Sequence, residues 1–335
     1  MSRAVTPGRL FALGLVLLAV VLALYVFPSN DYIFLPDPAH PVAPLVTVPG
    51  GHDPTKGGVY FVDVVVRKAT VLEKLFGGLH EGADLYPANA VDPPGVGESQ
   101  RRRIDLQDMH LSQQIAAAVA LRAAGKQVVM RATGTRVVQI EAGKPADGKL
   151  EPDDVITAID GAHVRTLRDV MKAIRKHAIG DKVTFTVLRG KQTLSLTLPT
   201  VASDDRPRRP IVGVALETAV DIHLPLAVKI DAGNVGGPSA GLAFALEVLE
   251  ELGRDVVHGH RIAATGEIFP DGTIGPIGGI KQKTIGARDA GVDAFLVPAG
   301  ENARTARKQA HGLRIIPVET FPQALRALAT LPAAG

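Results

Sequence analysis

Ser239 is the residue best placed to do chemistry, because it lies in NVGGPSAGLAFALEVLEEL, where a glycine-rich turn runs into a helix. Backbone N–H groups at a helix start have no helical acceptor, so a hydroxyl there can attack a carbonyl beside donors for the oxyanion. Pro238 suits a helix start, and Gly236, Gly237 and Gly241 let the backbone approach a ligand closely. We interpret Ser239 as a nucleophile on or near the first helical turn, with Gly237 and Pro238 supporting it.

A serine nucleophile needs a base, and the ten histidines of the chain show no triad spacing with Ser239. Lys283, at the end of the segment AATGEIFPDGTIGPIGGIKQK, is the better candidate. A lysine amine titrates near ~10.4 in water, so it must be desolvated to act as a neutral base near pH 7. Apolar residues surround it in sequence, namely Ile274, Pro276, Ile277, Ile280 and Ile285. The pattern therefore predicts a desolvated lysine base.

Three segments, GGPSAG, TGEI and GTIGPIGGIKQK, together resemble the proteolytic domain of the Lon family of serine proteases. The resemblance implies a Ser–Lys dyad in which Ser239 is the nucleophile and Lys283 is the general base. It also implies that Thr265 helps to hold the lysine in place and that Lys281 is not catalytic. The separation of Ser239 and Lys283 along the chain is close to that of the family.

ATP-driven Lon proteases carry a nucleotide-binding module, but this sequence contains no G-x-x-x-x-G-K-[ST] phosphate loop. The chain looks most like the membrane-anchored, PDZ-containing Lon-like proteases of the YlbL type. That resemblance implies an ATP-independent serine endopeptidase that acts on protein or peptide substrates, and it allows a homo-oligomer. We expect no cofactor, no metal and no nucleotide.

The N-terminal segment predicts a membrane anchor. Residues 10–27 carry no charge over eighteen positions, which is long enough to cross a bilayer, and Pro28 follows them. Arg3 and Arg9 precede this run, so the positive-inside rule places residues 1–9 in the cytoplasm and the catalytic part outside it. We therefore expect a single-pass protein of the cell membrane with its anchor at residues 10–28. A cleaved signal peptide is the alternative.

Composition excludes several other functions. The chain has no cysteine, which excludes thiol chemistry, and its net charge is only +3 over 335 residues. Its basic clusters, Arg101–Arg103 and Arg206 with Arg208 and Arg209, lie in polar connectors, so we expect solvated linkers and no nucleic-acid partner.

Residues 131–201 resemble a PDZ domain. A strand from Val155 to Ile159 runs into an Asp160-Gly161 turn, and the next helix repeats apolar residues from Leu167 to Ile174 on one face. PDZ domains bind extended peptides as an added strand beside a helix. The groove is predicted between the strand Arg136–Ile140 and that helix. Its peptide-binding residues would be Gly134, Thr135, Arg136 and Val137; a β-rich spacer without a ligand is the alternative.

The segment between the predicted PDZ domain and Ser239 is too short to hold everything that precedes the serine in a Lon-type domain. We expect the missing elements at 58–66, which reads as one buried strand, and at 109–125, which reads as a helix. The fold would then be α/β (α+β), with the PDZ domain inserted between protease parts 44–126 and 203–335. This hypothesis requires residues 58–66 to share a sheet with the strand before Ser239.

Other patterns leave alternatives open. Asp231 could be a third member of the catalytic group, beside Ser239 and Lys283, that orients the lysine. Glu267 could contact the site or have a structural role at the end of a strand. His258 and His260 are expected on one face of a strand, as a surface pair and not a metal site. Two competing functions remain: a non-catalytic PDZ scaffold at the membrane, and a phosphate-cradling loop at GNVGGPSAG.

Overall fold

The protein is described by a computed structural model that covers residues 7–52, 56–77, 79–91, 98–204 and 207–332. The larger of its two compact units comprises residues 1–93, 105–124 and 226–335, and the smaller comprises residues 94–104 and 125–225. The predicted Arg206 and residues 1–6 of the predicted tail, with Arg3, lie outside the described residues.

The helices are α1 (Pro7–Val26), α2 (Val71–Leu75), α3 (Ala88–Val91), α4 (Glu98–Ala123), α5 (Leu167–Ile174), α6 (Gly241–Glu251), α7 (Ile280–Asp289), α8 (Glu301–Gln309) and α9 (Phe321–Leu328). Short 3-10 turns lie at Ala43–Leu45 and Pro238–Ala240. The strands are β1 (Pro28–Pro36), β2 (His40–Pro41), β3 (Val46–Thr47), β4 (Gly58–Phe61), β5 (Val64–Thr70), β6 (Asp84–Pro87), β7 (Val129–Ile140), β8 (Val155–Ile159), β9 (Ala162–His163), β10 (Lys182–Arg189), β11 (Gln192–Pro199), β12 (Val201–Ala202), β13 (Pro210–Ile211), β14 (Val214–His223), β15 (Lys229–Ile230), β16 (Arg261–Ala264), β17 (Glu267–Ile268), β18 (Ile274–Gly275), β19 (Ala294–Pro298) and β20 (Arg314–Val318).

The larger unit is built on a five-stranded sheet of order β2-β4-β16-β19-β20. Strands β4, β16, β19 and β20 run parallel, as expected for short apolar strands that alternate with helices. Helices and strands alternate from α7 onward, through β19, α8 and β20 to α9.

Helix α6 lies in the core of the larger unit, and all of its residues are buried. Its Phe244 ring lies 6.4 Å from that of Phe61 on β4, measured between centroids. Three acidic residues of this helix, Glu247, Glu250 and Glu251, are buried with the apolar ones. The buried carboxyl group of Glu250 has hydrogen-bond partners, since its Oε1 accepts hydrogen bonds from the amides of Val256 and Val257.

The prediction of one buried strand over residues 58–66 is wrong. The segment divides between β4 and β5, which belong to different sheets, and Val65 and Val66 are exposed. The strand before Ser239, β15, pairs with β3, so the required sharing of a sheet with residues 58–66 is also absent. Strand β4 instead lies parallel to β16, which follows the serine helix along the chain.

The smaller unit is a sheet of order β11-β10-β8-β7-β14, with β9 paired to β8, and helix α5 packs against it. The predicted strand, turn and helix at residues 155–174 match β8, the β8–β9 hairpin and α5. Strand β14 runs antiparallel along β7, from Val214 opposite Ile140 to His223 opposite Val129. The predicted boundary at residue 203 places β14 in the protease, whereas its pairing places it in this sheet.

At the N-terminus, α1 leads directly into β1, which pairs with β5 and β6 and buries Tyr32 and Ile33. Many of the described apolar side chains of α1, from Phe11 to Val26, are exposed. Within the part of the chain that the structure describes, no helix is both long enough and apolar enough to cross a bilayer, so the predicted anchor is not confirmed.

A candidate serine–lysine active site

Ser239 lies in the 3-10 turn Pro238–Ala240, immediately before α6, and its side chain is partly exposed. The turn begins at Gly237, whose φ of 82° favours glycine. The amide of Gly237 donates to the carbonyl of Asp105 at 2.8 Å, and the Ser112 hydroxyl donates to the carbonyl of Pro238 at 2.9 Å. Gly237 therefore shapes the turn, and its N–H is not free to face an oxyanion.

Thr265 lies just after β16, where it is fully buried. Its hydroxyl donates to the Ser239 carbonyl at 3.1 Å, and the Gly266 amide donates to the same oxygen at 2.8 Å. The Leu242 amide donates to the Gly266 carbonyl at 3.1 Å. Backbone and side chain of the TGEI segment thus hold the serine turn from the end of a sheet strand.

Lys283 reaches the same point from the first turns of α7. Its Nζ lies 2.6 Å from Ser239 Oγ and 3.4 Å from Thr265 Oγ1. The structure therefore brings the predicted Ser239, Thr265 and Lys283 together. The lysine is only 4% exposed, and this burial lowers the pKa of its amine to about 8, while the charge of Asp63 acts to raise it.

The start of α7 is fixed by close packing. Gly279 adopts a left-handed conformation with φ of 66°, and a Cβ there would lie 2.7 Å from a methyl group of Val64. Asn302 forms two hydrogen bonds of 2.9 Å with the backbone of Ile277. Lys281 turns away from the serine to Asp84, at 2.7 Å, which agrees with its predicted non-catalytic position.

Asp63, with Asp37 and His40 beside it, is the neighbour of the site that the sequence interpretation missed. The signal was present, because Asp63 is the one charged residue in the apolar run GVYFVDVVV. The proposed third member, Asp231, is instead exposed and accepts a hydrogen bond from the Gly233 amide at 3.0 Å. It stabilises a turn, and the carboxylate whose charge acts on Lys283 is that of Asp63.

Asp37, His40 and Asp63 offer ligand atoms within 4.8 Å of one another, which is close enough to surround a cation. The imidazole is already engaged, however, since His40 Nε2 lies 2.9 Å from Asp37 Oδ2. We interpret the three as a cluster of polar side chains beside the site. His258 and His260 lie in a turn and not on a strand as predicted, and His260 Nε2 donates to the Pro332 carbonyl at 2.6 Å.

The predicted peptide groove is wrong in its position. Strand β7 has β8 on one side and β14 on the other, so it offers no free edge. Thr135 and Val137 are fully buried, a Cβ at Gly134 would lie 2.6 Å from the Ile156 carbonyl oxygen, and Arg136 pairs with Glu217 and Asp153. A cavity of about 420 Å³ lies instead between α5 and β14. It is lined by Leu167, Val170, Met171 and Ile174 on one side and by residues 209–216 on the other.

Comparisons with known proteins identify two domains, the second of which begins within residues 125–225. Residues 123–200 match the PDZ domain family, and residues 212–330 match the Lon protease (S16) C-terminal proteolytic domain. Lon protease 2 of Bacillus subtilis is 36% identical over 107 residues, which are 31% of this chain and 18% of that protein. The Lon protease of Chloroflexus aggregans is 31% identical over 170 residues, 46% of this chain and 20% of that protein.

Among solved structures, the PDZ domain of an SdrC-like protein from Listeria monocytogenes is 25% identical, covering 25% of this chain and 87% of that one with a TM-score of 0.24. The matched curated relatives are much longer, and the chain spans about a fifth of their length or less.

The two family matches show that the chain is a Lon-like protein with a PDZ domain, as the resemblance predicted. Its proteolytic domain is that of the S16 family of serine peptidases.

The depressed pKa of Lys283 predicts an unusual effect on stability. Below about pH 8 the amine is charged in both states, and the folded protein bears the cost of burying that charge. Above about pH 8 the folded state loses its proton before the unfolded state does, so stability rises until ~10.4. Lys283→Met should therefore raise the free energy of unfolding at pH 7 by about 3 kcal/mol and remove this rise.

Urea unfolding of the whole chain between pH 7 and 10.5 measures both effects. Lys281→Met is the matched control, because this lysine lies on the same helix but is paired with Asp84 and 31% exposed. It should give no gain at pH 7. A Lys283→Met variant with the pH dependence of the unmutated chain would contradict the prediction.

Proposed function

We propose that the chain is an ATP-independent serine endopeptidase with Ser239 as nucleophile and Lys283 as general base. The observation that carries the proposal is the 2.6 Å contact between a partly exposed serine hydroxyl and a buried lysine amine whose pKa is lowered to about 8. At this pKa a useful fraction of the lysine is neutral near physiological pH, and it remains basic enough to take a proton. Independence of ATP rests on the missing phosphate loop.

In the first half of the reaction, neutral Lys283 accepts the Ser239 proton as Oγ attacks a peptide carbonyl carbon. The resulting oxyanion is held by backbone N–H groups at the start of α6, those of Ser239 or Ala240, since Gly237 is engaged. The C–N bond then breaks, and Lys283 returns the proton to the departing amine. In the second half, Lys283 takes a proton from a water molecule as its oxygen attacks the acyl carbon; the C–O bond to Ser239 then breaks, Lys283 returns the proton to Ser239 Oγ, and the acid is released. Thr265 contacts both the Ser239 turn and the Lys283 amine, and so keeps them at a fixed distance from each other.

The smaller unit is proposed to bind peptides in the cavity between α5 and β14. Strand β14 is an edge of its sheet within the described residues, so its backbone can pair with an added strand. The apolar lining favours an apolar side chain at the end of the bound peptide. Such binding could deliver substrate to the protease domain or regulate it. In both cases the ligand would be a segment of a protein and not a small molecule.

We further propose that this unit is inserted in the protease domain, as expected from the sequence. The support is that the larger compact unit contains segments on both sides of residues 125–225. The pairing of Val129 with His223 brings the two ends of the insert close together, which makes insertion physically easy. The protease domain would then be discontinuous.

Anchoring by α1, with the catalytic part outside the cytoplasm, is also a proposal. Its support is the uncharged run of residues 10–27, the exposed apolar side chains of α1, and the basic residues before the run. A homo-oligomer stays a prediction of the family resemblance.

Cleavage of an unfolded protein such as casein, without ATP, tests the main proposal. Activity should be lost in Ser239→Ala and Lys283→Ala, and kcat/KM should rise about tenfold from pH 7 to pH 9 as a base with a pKa of about 8 loses its proton. Lys281→Ala should keep most of the activity. A fluorophosphonate probe that labels Ser239 in the unmutated chain separates this function from a scaffold or a phosphate-binding loop, neither of which would react.

Two changes in the smaller unit test its role. Leu167→Glu should weaken binding of peptides with an apolar C-terminal residue by roughly tenfold or more, because it places a charge in the cavity. Leu188→Glu is a matched control, since Leu188 is 37% exposed against 36% for Leu167 but lies outside the cavity. Replacement of residues 126–224 by a short glycine-serine linker should abolish binding and preserve labelling of Ser239. An unfolded larger unit in that deletion would argue against insertion.

Fractionation of cells that express the full chain tests the anchor. The protein should stay with membranes after alkaline carbonate extraction, and a version without residues 1–26 should be released. The truncation must stop before Pro28, because β1 is part of the fold. Recovery of the full chain in the carbonate supernatant would contradict the proposal, as would retention of the truncated one.

A further inference from the structure

Four titratable side chains form a connected group that starts at Lys283 and ends near the surface. Asp63 is the carboxylate whose charge acts on Lys283. Asp37 lies beside Asp63, and His40 Nε2 lies 2.9 Å from Asp37 Oδ2 and 3.8 Å from Asp63 Oδ1. The outer member, His40, is 45% exposed, so the group connects the buried amine to solvent.

The fold itself places Asp63 beside the site. Strands β4 and β16 are parallel, with Phe61 opposite Ala264, so the residues that follow them meet at one edge of the sheet. Asp63 follows β4 and Thr265 follows β16. The next residue, Val64, packs on Gly279 at the start of α7, four residues before Lys283. Asp63 is therefore fixed by the same contacts that fix the lysine.

Asp63 Oδ1 is buried and has no hydrogen-bond partner among the described residues. A carboxylate oxygen in this state is costly unless a positive charge lies nearby. Burial and the neighbouring Asp37 raise the pKa of Asp63, whereas His40 and Lys283 lower it. A positive charge on Lys283 and a negative charge on Asp63 therefore support each other.

The other charged groups near α7 are engaged elsewhere. Lys281 pairs with Asp84, and Arg288 pairs with Glu81 and Asp289. Asp63 thus stands apart from these pairs as the charge that acts on the amine of Lys283.

We propose that Asp63 is a positioning residue of the reaction, whose carboxylate stabilises the ammonium formed when Lys283 takes the Ser239 proton. The proposal rests on the proposed serine peptidase function. Asp63 makes no bond to the substrate in this scheme and acts only through the lysine. Its negative charge is most valuable in the transition state, when the amine becomes charged.

The Asp63→Asn substitution removes the charge and keeps the shape of the side chain. Without the carboxylate, the ammonium of Lys283 is less stable, so the lysine loses its proton at a lower pH. The ascending limb of kcat/KM against pH should therefore move down by roughly one pH unit, and the plateau should fall by roughly tenfold. Asp63→Glu, which restores the charge, should keep the limb within a few tenths of a unit of its original position. A merely structural role for Asp63 would lower the rate without moving the limb.

The matched control is Asp84→Asn, which removes a carboxylate from Lys281 on the same helix and should leave the limb unmoved. A second readout is independent of catalysis, because the pH at which the free energy of unfolding begins to rise reports the pKa of Lys283. Asp63→Asn should shift this pH downward by a similar amount.

The outcomes separate the two proposals. If the unmutated chain cleaves casein and Asp63→Asn keeps its limb and its stability profile, the role of Asp63 is overturned and the Ser–Lys function stands. If the unmutated chain neither cleaves nor reacts with the probe, the proposed function fails first, and the role of Asp63 in the reaction fails with it even if the stability profile shifts. Loss of activity of the unmutated chain in EDTA would overturn the proposal in favour of a cation held by Asp37, His40 and Asp63.

Discussion

The burial of one amine beside one hydroxyl is the constraint on which the structure of the larger unit depends. Lys283 is 4% exposed, with Nζ 2.6 Å from Ser239 Oγ. A charged amine resists such a position, so the surrounding fold must be stable enough to hold it there. The fully buried α6, the parallel sheet and the packed start of α7 supply that stability. Burial of the lysine therefore lowers the stability of the fold, and packing in the core compensates for this cost.

The edge of the parallel sheet fixes the positions of the catalytic residues relative to one another. Parallel strands end at one edge, and the residues that follow β4 and β16 meet there without any long loop. Gly266 connects this edge to the serine turn, since its amide binds the Ser239 carbonyl and its carbonyl binds the Leu242 amide. A side chain at 266 would also meet Ile274, with a Cβ only 2.6 Å from one of its methyl groups. Backbone contacts therefore set the distance between nucleophile and base, and they are stiffer than side chains.

Local patterns were enough to predict the site, but not the way distant segments pair. The helices, the turn at Ser239 and the pairing of Ser239 with Lys283 follow from motifs whose chemistry is local or shared with a family. The strand at residues 58–66 was mispredicted because its apolar run continues across Asp63, where the chain leaves one sheet and enters another. The peptide groove was misplaced because no local signal shows that β14 covers the edge of β7. Asp63 was missed for the same reason, since its distance from Lys283 in sequence hides their proximity.

The choice of lysine as base explains why a carboxylate near it has to act at a distance. Burial lowers the pKa of the amine, which raises the neutral fraction near physiological pH but also makes the amine a weaker base. A carboxylate in direct contact would reverse this effect and lock the lysine in its charged form. Asp63 lies between these extremes, because its charge raises the pKa of the amine while burial remains the larger effect. A histidine base needs a partner to fix its tautomer, whereas a lysine needs only the right balance of burial and charge. The fold provides that balance because β4 and β16 end at one edge of the sheet, where Asp63 and Thr265 follow them.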